Sequence, residues 1–291
     1  MKFLTANFLI ILFFITASAM EYTKEMDLIN VAITTKNNQE LKEEIKKNPS
    51  LVNTLIGKFL PLNLAIIYGN LEAARILLSA GANCTLPDKN NNSSINYFSI
   101  NTLKTPQDKI QLLDALIEAG ADCNTPNDNG YTPLHGAASD YEPIILKRLI
   151  ELGADINART KKLCTPLHLI RYDLDSTESL KIVVAHGAHI NAQDDQGLTP
   201  IRIAIKKNAI NCVKLFLSLP GIKTSILNKD GKSDLDTAKE EGHKAIGQLL
   251  IEHLGVYSAQ GLISRQGFAQ ILPQEIAEHI ATFLFREYTR N

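Results

Sequence analysis

One phrase recurs along this chain on a beat of 33 to 34 residues, and that beat limits the possible folds more than any other feature. It reads Thr132-Pro133-Leu134-His135, then Thr165-Pro166-Leu167-His168, then Thr199-Pro200-Ile201-Arg202. A second phrase keeps the same step: Gly120-Ala121-Asp122, Gly153-Ala154-Asp155 and Gly187-Ala188-His189. Leu60-Pro61-Leu62-Asn63-Leu64-Ala65 and Gly81-Ala82-Asn83 mark an earlier unit, and Ser94 holds the proline position of the next. From Ser94 to Pro133 is 39 residues rather than 33, which places about six extra residues within 99–107. Ser233-Asp234-Leu235-Asp236-Thr237-Ala238 continues the beat, and Leu28 to Asn53 reads as two helices of an atypical first unit.

Each unit has the same physical grammar. Thr-Pro opens a helix, because the hydroxyl can cap free backbone N–H groups and proline in the first turn forfeits no hydrogen bond. A short first helix follows, as in Leu134 to Ala138. A second helix then carries apolar residues at helical spacing, for example Ile144, Ile145, Leu146, Leu149 and Ile150. Gly153 ends it where a positive φ is needed, and Asp155 to Leu163 turns back as an extended finger. Helices this short are unstable alone, so each must bury its apolar face on a neighbouring unit.

The run Asn127-Asp128-Asn129-Gly130-Tyr131-Thr132-Pro133-Leu134-His135-Gly136-Ala137-Ala138 resembles the ankyrin repeat almost position for position. The resemblance implies an all-α ankyrin-repeat solenoid of about seven helix-turn-helix units with extended finger loops, over roughly residues 26–257. Three local departures touch finger and helix-end geometry. Leu163 replaces the turn glycine, Ser93-Ser94 replaces Thr-Pro, and Pro220-Gly221 replaces Gly-Ala. The resemblance further implies that fingers and first helices line a concave binding face, whose variable positions are Tyr68, Tyr131, Asp140, Lys161, Lys162, Tyr172, Leu198 and Lys206, among others. Tyr68, Tyr131 and Tyr172 are the expected anchors, since a tyrosine buries large area with little entropy loss.

Charge alternates along these fingers, with Lys161-Lys162 beside Asp128 and Asp195, and the net charge is -1. A protein or peptide partner of mixed charge fits this pattern; nucleic acid would want a continuous basic stripe. The expected species is a monomer without cofactor. His135 and His168 invite a catalytic reading, but in this phrase a histidine bridges neighbouring repeats, so a structural role is expected. His186 and His189 have a spacing that metal sites use, yet no second ligand pair follows. The chain lacks the phosphate-loop, zinc-protease and nucleophile-elbow motifs, and the repeats leave no room for a separate catalytic domain. An enzyme is not expected. Of the cysteines, Cys84, Cys123 and Cys212 read as small buried hydrophobes, with Cys164 in a finger.

The two ends differ from the repeats. Lys2, the apolar run Phe8 to Ile15 and Ala17-Ser18-Ala19 form a secretory signal with cleavage expected after Ala19. That run is too short for a spanning helix, which takes about 20 apolar residues. Residues 1–19 therefore read as a leader, with an uncleaved anchor the alternative, and the mature chain is expected to be secreted or periplasmic, with delivery into a host cell a further option. At the other end, 258–291 reads as a polar linker and then an amphipathic helix. Ile276, Ile280, Phe283 and Leu284 share one stripe, and Leu272 to Phe285 resembles the opening of an F-box. Capping of the last repeat explains the same stripe; recruitment of a ubiquitin ligase is the alternative.

Overall fold

The computed structural model describes residues 24–100, 103–174 and 177–264. Among these the regular structure is helical, apart from one isolated antiparallel bridge between Ile56 and Phe59. The fold is all-α. Residues 24–34 form α1, and α2 is Asn38–Lys47. Then come α3 (Pro61–Ile67) with α4 (Leu71–Ser79), and a 3₁₀ turn (Ser94–Ile100) with α5 (Pro106–Glu118). The fourth pair is α6 (Pro133–Ser139) with α7 (Pro143–Glu151). The fifth has 3₁₀ turns at Pro166–Leu169 and Tyr172–Leu174 before α8 (Glu178–Ala185). The last two pairs are α9 (Pro200–Lys206) with α10 (Ile210–Ser218), and α11 (Asp234–Glu240) with α12 (Lys244–Ser264).

The local signals explain these boundaries. Pro61, Pro133, Pro166 and Pro200 each sit in the first turn of their segment, where no intrahelical N–H is wanted. Asn70 caps α4 by accepting from the Ala73 N–H at 3.0 Å, and Thr105 caps α5 in the same way at 3.1 Å. The extra residues of the third unit fall between its 3₁₀ turn and second helix and also lengthen that helix: α5 has 13 residues where α4, α7 and α10 have nine. Pro220-Gly221 serves as a helix end after all, because Gly221 takes φ 81° just past α10.

Contacts divide the chain into two compact units. The first holds the described residues up to Gly136 with Glu151–Ala154; the second holds Ala137–Ile150 and the described residues from Asp155 onward. In the first, α3 packs on α4 and on the 3₁₀ turn that replaces the next first helix. Leu41, Leu62, Leu77, Leu113 and Leu116 are fully or almost fully buried there. In the second, α9 packs on α10 and α11, and α12 on α10 and α11, around Leu180, Val183, Ile201, Val213, Phe216 and Leu250. Cys84, Cys123 and Cys212 are buried, as expected of small apolar side chains, and Cys164 is half-buried.

One expectation is corrected. Tyr172, expected on the exposed end of a first helix, is only 1% exposed. The helix of that unit breaks after Leu169, where Ile170 takes φ -54° and ψ 140°, and the chain swings Tyr172 inward. Its hydroxyl donates to the Leu167 carbonyl at 2.6 Å and its ring meets Phe216 at 6.1 Å between centroids. α12 runs from Lys244 past Tyr257 to Ser264. No proline interrupts that span, so nothing in the backbone forces a stop. The leader (1–19) and the stripe from Leu272 to Phe285 lie outside the described residues.

Candidate functional site

In four units a polar residue two positions after the helix-opening proline, or after the residue that replaces it, braces the helix start. Asn96, His135, His168 and Asp236 occupy this place, and each accepts a hydrogen bond from the backbone N–H of its own helix cap: Ser93, Thr132, Thr165 and Ser233, at 2.8 to 3.1 Å. The outward atom then reaches the following finger. Asn96 Nδ2 donates to the Thr125 carbonyl at 2.9 Å, and His168 Nε2 lies 3.2 Å from the Leu198 carbonyl. Because His168 Nδ1 accepts, its proton sits on Nε2, and burial lowers the pKa so that the ring is neutral. Both histidines thus brace a helix start, and His168 also reaches the next finger, consistent with their expected structural role.

The fingers are built on one repeated turn. The N–H of its first residue donates to the carbonyl of its fifth: Asp88 to Asn92, Asn127 to Tyr131, Thr160 to Cys164, Asp194 to Leu198 and Asn228 to Lys232, at 2.9 to 3.1 Å. Its fourth residue is left-handed: Asn91, Gly130, Leu163, Gly197 and Gly231 have φ between 57° and 80°. Leu163 thus keeps the finger geometry by adopting φ 58°, a conformation that costs an ordinary L-residue about 1–2 kcal/mol. Successive fingers touch at their tips. The Lys89 N–H donates to the Lys58 carbonyl at 3.1 Å in the first unit. In the second, Asp195 N–H donates to Lys162 at 2.9 Å and Lys229 N–H to Gln196 at 3.1 Å.

On this frame Tyr68 is 45% and Tyr131 37% exposed, with the Tyr131 ring tilted against His135 at 5.7 Å. Asp140, Lys161, Lys162 and Lys206 are exposed and Leu198 is half-buried. Tyr172 is withdrawn from the face, for the reason given above.

Family profiles described as ankyrin repeats match residues 58–89, 116–170 and 170–259, together more than half of the chain. This chain belongs to the ankyrin-repeat family. A putative ankyrin repeat protein of fowlpox virus (strain NVSL) is 32% identical over 82 residues, 28% of this chain and 19% of that protein. An I-Kappa-B like protein of Microplitis demolitor bracovirus (isolate Webb) is 32% identical over 80 residues, 27% of this chain and 48% of that protein. The similarity thus spans less than half of either relative.

Other polar links in the ankyrin stack escaped the sequence reading. Asn53, Asn124, Asn157 and Asn191 each donate from Nδ2 to the carbonyl of a helix-ending glycine one repeat on: Gly81, Gly153, Gly187 and Gly221, at 2.8 to 3.1 Å. Their 33- and 34-residue spacing from Asn124 to Asn191 was a usable signal. Arg202, in the histidine position of the sixth repeat, is wholly buried and pairs with the buried Asp234: Nε lies 2.8 Å and Nη2 2.7 Å from the same Oδ1. Nη2 also donates to the Ile226 carbonyl. Arg202 Nη1 and Asp234 Oδ2 have no partner among the described residues. Burial pushes the Asp234 carboxyl up to about 6, against the opposing pull of the guanidinium. No sequence pattern announced this pair, because an arginine in a histidine slot reads as an exposed charge. As for the two candidate metal ligands, His186 Nδ1 lies 2.7 Å from the Ile182 carbonyl, and the His189 N–H donates to Asn157 Oδ1 at 2.8 Å.

Proposed function

We propose that this ankyrin-repeat chain is an exported scaffold that holds a protein or peptide partner against its fingers and first-helix ends. The observation that carries this reading is the contrast among its tyrosines. Tyr97 and Tyr172 are buried and hydrogen-bonded, whereas Tyr68 and Tyr131 stand exposed at positions that the repeat leaves variable. An exposed aromatic next to polar and charged neighbours is the usual composition of an interface anchor. Asp140, Lys161, Lys162, Leu198 and Lys206 supply the polar and mixed surroundings. Export rests on the leader-like residues 1–19, and the mature chain would then act in a secreted or periplasmic setting or, after a further transfer, inside a host cell.

Mature protein beginning at Met20, used as bait and analysed by mass spectrometry, should retain a small set of partners. Replacing Tyr68 and Tyr131 together by Ala should weaken the best of them by about 2 kcal/mol or more, with little change in the melting curve. Unchanged affinity would place the binding site off this face. A ubiquitin-ligase adaptor is the second reading, supported by the likeness of Leu272 to Phe285 to an F-box opening. It requires direct binding of a ligase-core adaptor to the full chain, abolished by removal of that segment.

A further inference from the structure

Three fingers of the second unit lie edge to edge, and their tips carry charges of alternating sign at one equivalent position. Two residues before the left-handed residue of each turn stand Lys161, Asp195 and Lys229. The hydrogen bonds from Asp195 N–H to Lys162 and from Lys229 N–H to Gln196 fix the three tips in a row. The fingers at Asp194–Leu198 and Asn228–Lys232 approach so closely that a Cβ on Gly197 would stand 3.1 Å from backbone atoms of Asn228 and Lys229. None of the three charged side chains forms an ion pair among the described residues, so the alternation is not consumed in holding the fingers together. Lys161 and Lys229 are exposed and Asp195 is partly exposed.

The finger at Thr160–Cys164 is also the one least suited to its own turn. Asp88, Asn127, Asp194 and Asn228 each brace their turns with side-chain bonds to two backbone N–H groups, whereas Thr160 makes one, to Cys164. Its left-handed position holds Leu163 where the other turns hold Asn or Gly. The leucine gains no burial in exchange, being 42% exposed. A strained backbone carrying an exposed apolar side chain, next to Lys161 and Lys162, is a local inconsistency of the kind that binding sites retain.

We propose that the finger tips of the second unit bind an extended peptide segment with acidic, basic and acidic residues at three-residue spacing, its apolar side chain seated on Leu163. The spacing follows from geometry. Stacked helical layers repeat at about 8–10 Å and an extended chain advances about 3.3 Å per residue, so every third residue meets the next finger. The acidic residues face Lys161 and Lys229, and the basic one faces Asp195. The apolar residue lies beside the first acidic one, because Leu163 is on the same tip as Lys161. A uniformly anionic surface, whether nucleic acid or lipid, fits less well, since Asp195 sits in the middle of the row. This assignment rests on the reading of the finger and first-helix face as the binding surface.

The test is selection of a random peptide display library on the full mature chain. The wild type should enrich sequences of the form acidic-x-x-basic-x-x-acidic with an apolar residue near the first acidic position. A K161E/D195K/K229E variant should enrich the inverse charge order. L163G should lose at least tenfold in affinity for the best wild-type peptide while melting no lower than wild type, and L163M should retain binding. Failure to enrich any charge order, or an order unmoved by the triple reversal, overturns the proposal. Displacement of the selected peptide by single-stranded oligonucleotide or anionic vesicles at equal affinity overturns it as well. Peptides that depend on Tyr131 or Lys206 but ignore the triple reversal would overturn this assignment alone; peptides that ignore both sets would overturn the binding face too.

Discussion

Tyr131 and Tyr172 stand at variable positions of the repeat, and their fates diverge because of one backbone break. Tyr172→Ala should cost about 3–5 kcal/mol, since it empties a buried aromatic site against Phe216. Tyr172→Phe should cost only about 1 kcal/mol, the usual value of a single hydrogen bond such as that to Leu167. Tyr131→Ala should stay within about 1 kcal/mol of wild type, as exposed substitutions do. Urea denaturation of the three variants checks the order, and an inert Tyr172→Ala would contradict its burial. Leu163→Gly should raise stability by about 0.5–1 kcal/mol, because relief of left-handed strain exceeds the glycine's added unfolded-state entropy. A lower unfolding midpoint for that variant would mean that Leu163 has packing that its exposure does not suggest.

At the level of elements, the decisive contact is the one between α9 and α11. Asp234→Ala leaves the buried Arg202 Nε and Nη2 without the Oδ1 acceptor they share, at a cost of about 3–5 kcal/mol. Replacing both, R202M with D234L, should recover most of that loss, because two well-packed apolar groups carry no desolvation penalty. A double variant as unstable as the single one would show that the pair is needed for more than mutual neutralisation. The pair also sets a pH dependence. Asp234 has a folded pKa raised to about 6, above its ordinary value of 3.8, so the folded state holds this proton more tightly than the unfolded one. Its stabilising contribution is therefore complete below pH 4 and is lost as pH rises through 6. Measured against Asp234→Asn, the wild type should gain stability when pH falls from 7 to 5; a constant difference between the two would refute the assignment.

On the scale of the whole molecule, the export and capping readings each have a direct measurement. N-terminal sequencing of exported protein should begin at Met20; a start at Met1 would remove the export reading. Truncation after Ser264 leaves α12 whole and removes the amphipathic stripe. If that stripe caps the last repeat, the truncated chain should lose about 2–4 kcal/mol, the scale of several aliphatic side chains returned to water. Unchanged stability together with lost adaptor binding would favour the ligase reading. Sequence alone determined the repeat, its 33- to 34-residue period, the helix pairs and the finger turns, because each rests on short-range chemistry: proline in a first turn, a capping hydroxyl, a glycine past a helix end, apolar residues at helical spacing. Even Leu163 was recognisable as a departure from the turn. Three things needed the tertiary structure. Tyr172 turns inward because Ile170 breaks its helix and Phe216, from the next repeat, receives the ring. Arg202 is buried because Asp234, 32 residues later, comes within 3 Å of it. The asparagines at 124, 157 and 191 are interrepeat links because stacking brings a helix-ending carbonyl over each. In all three the deciding partner is about one repeat or more away in sequence, and only stacking makes it a neighbour.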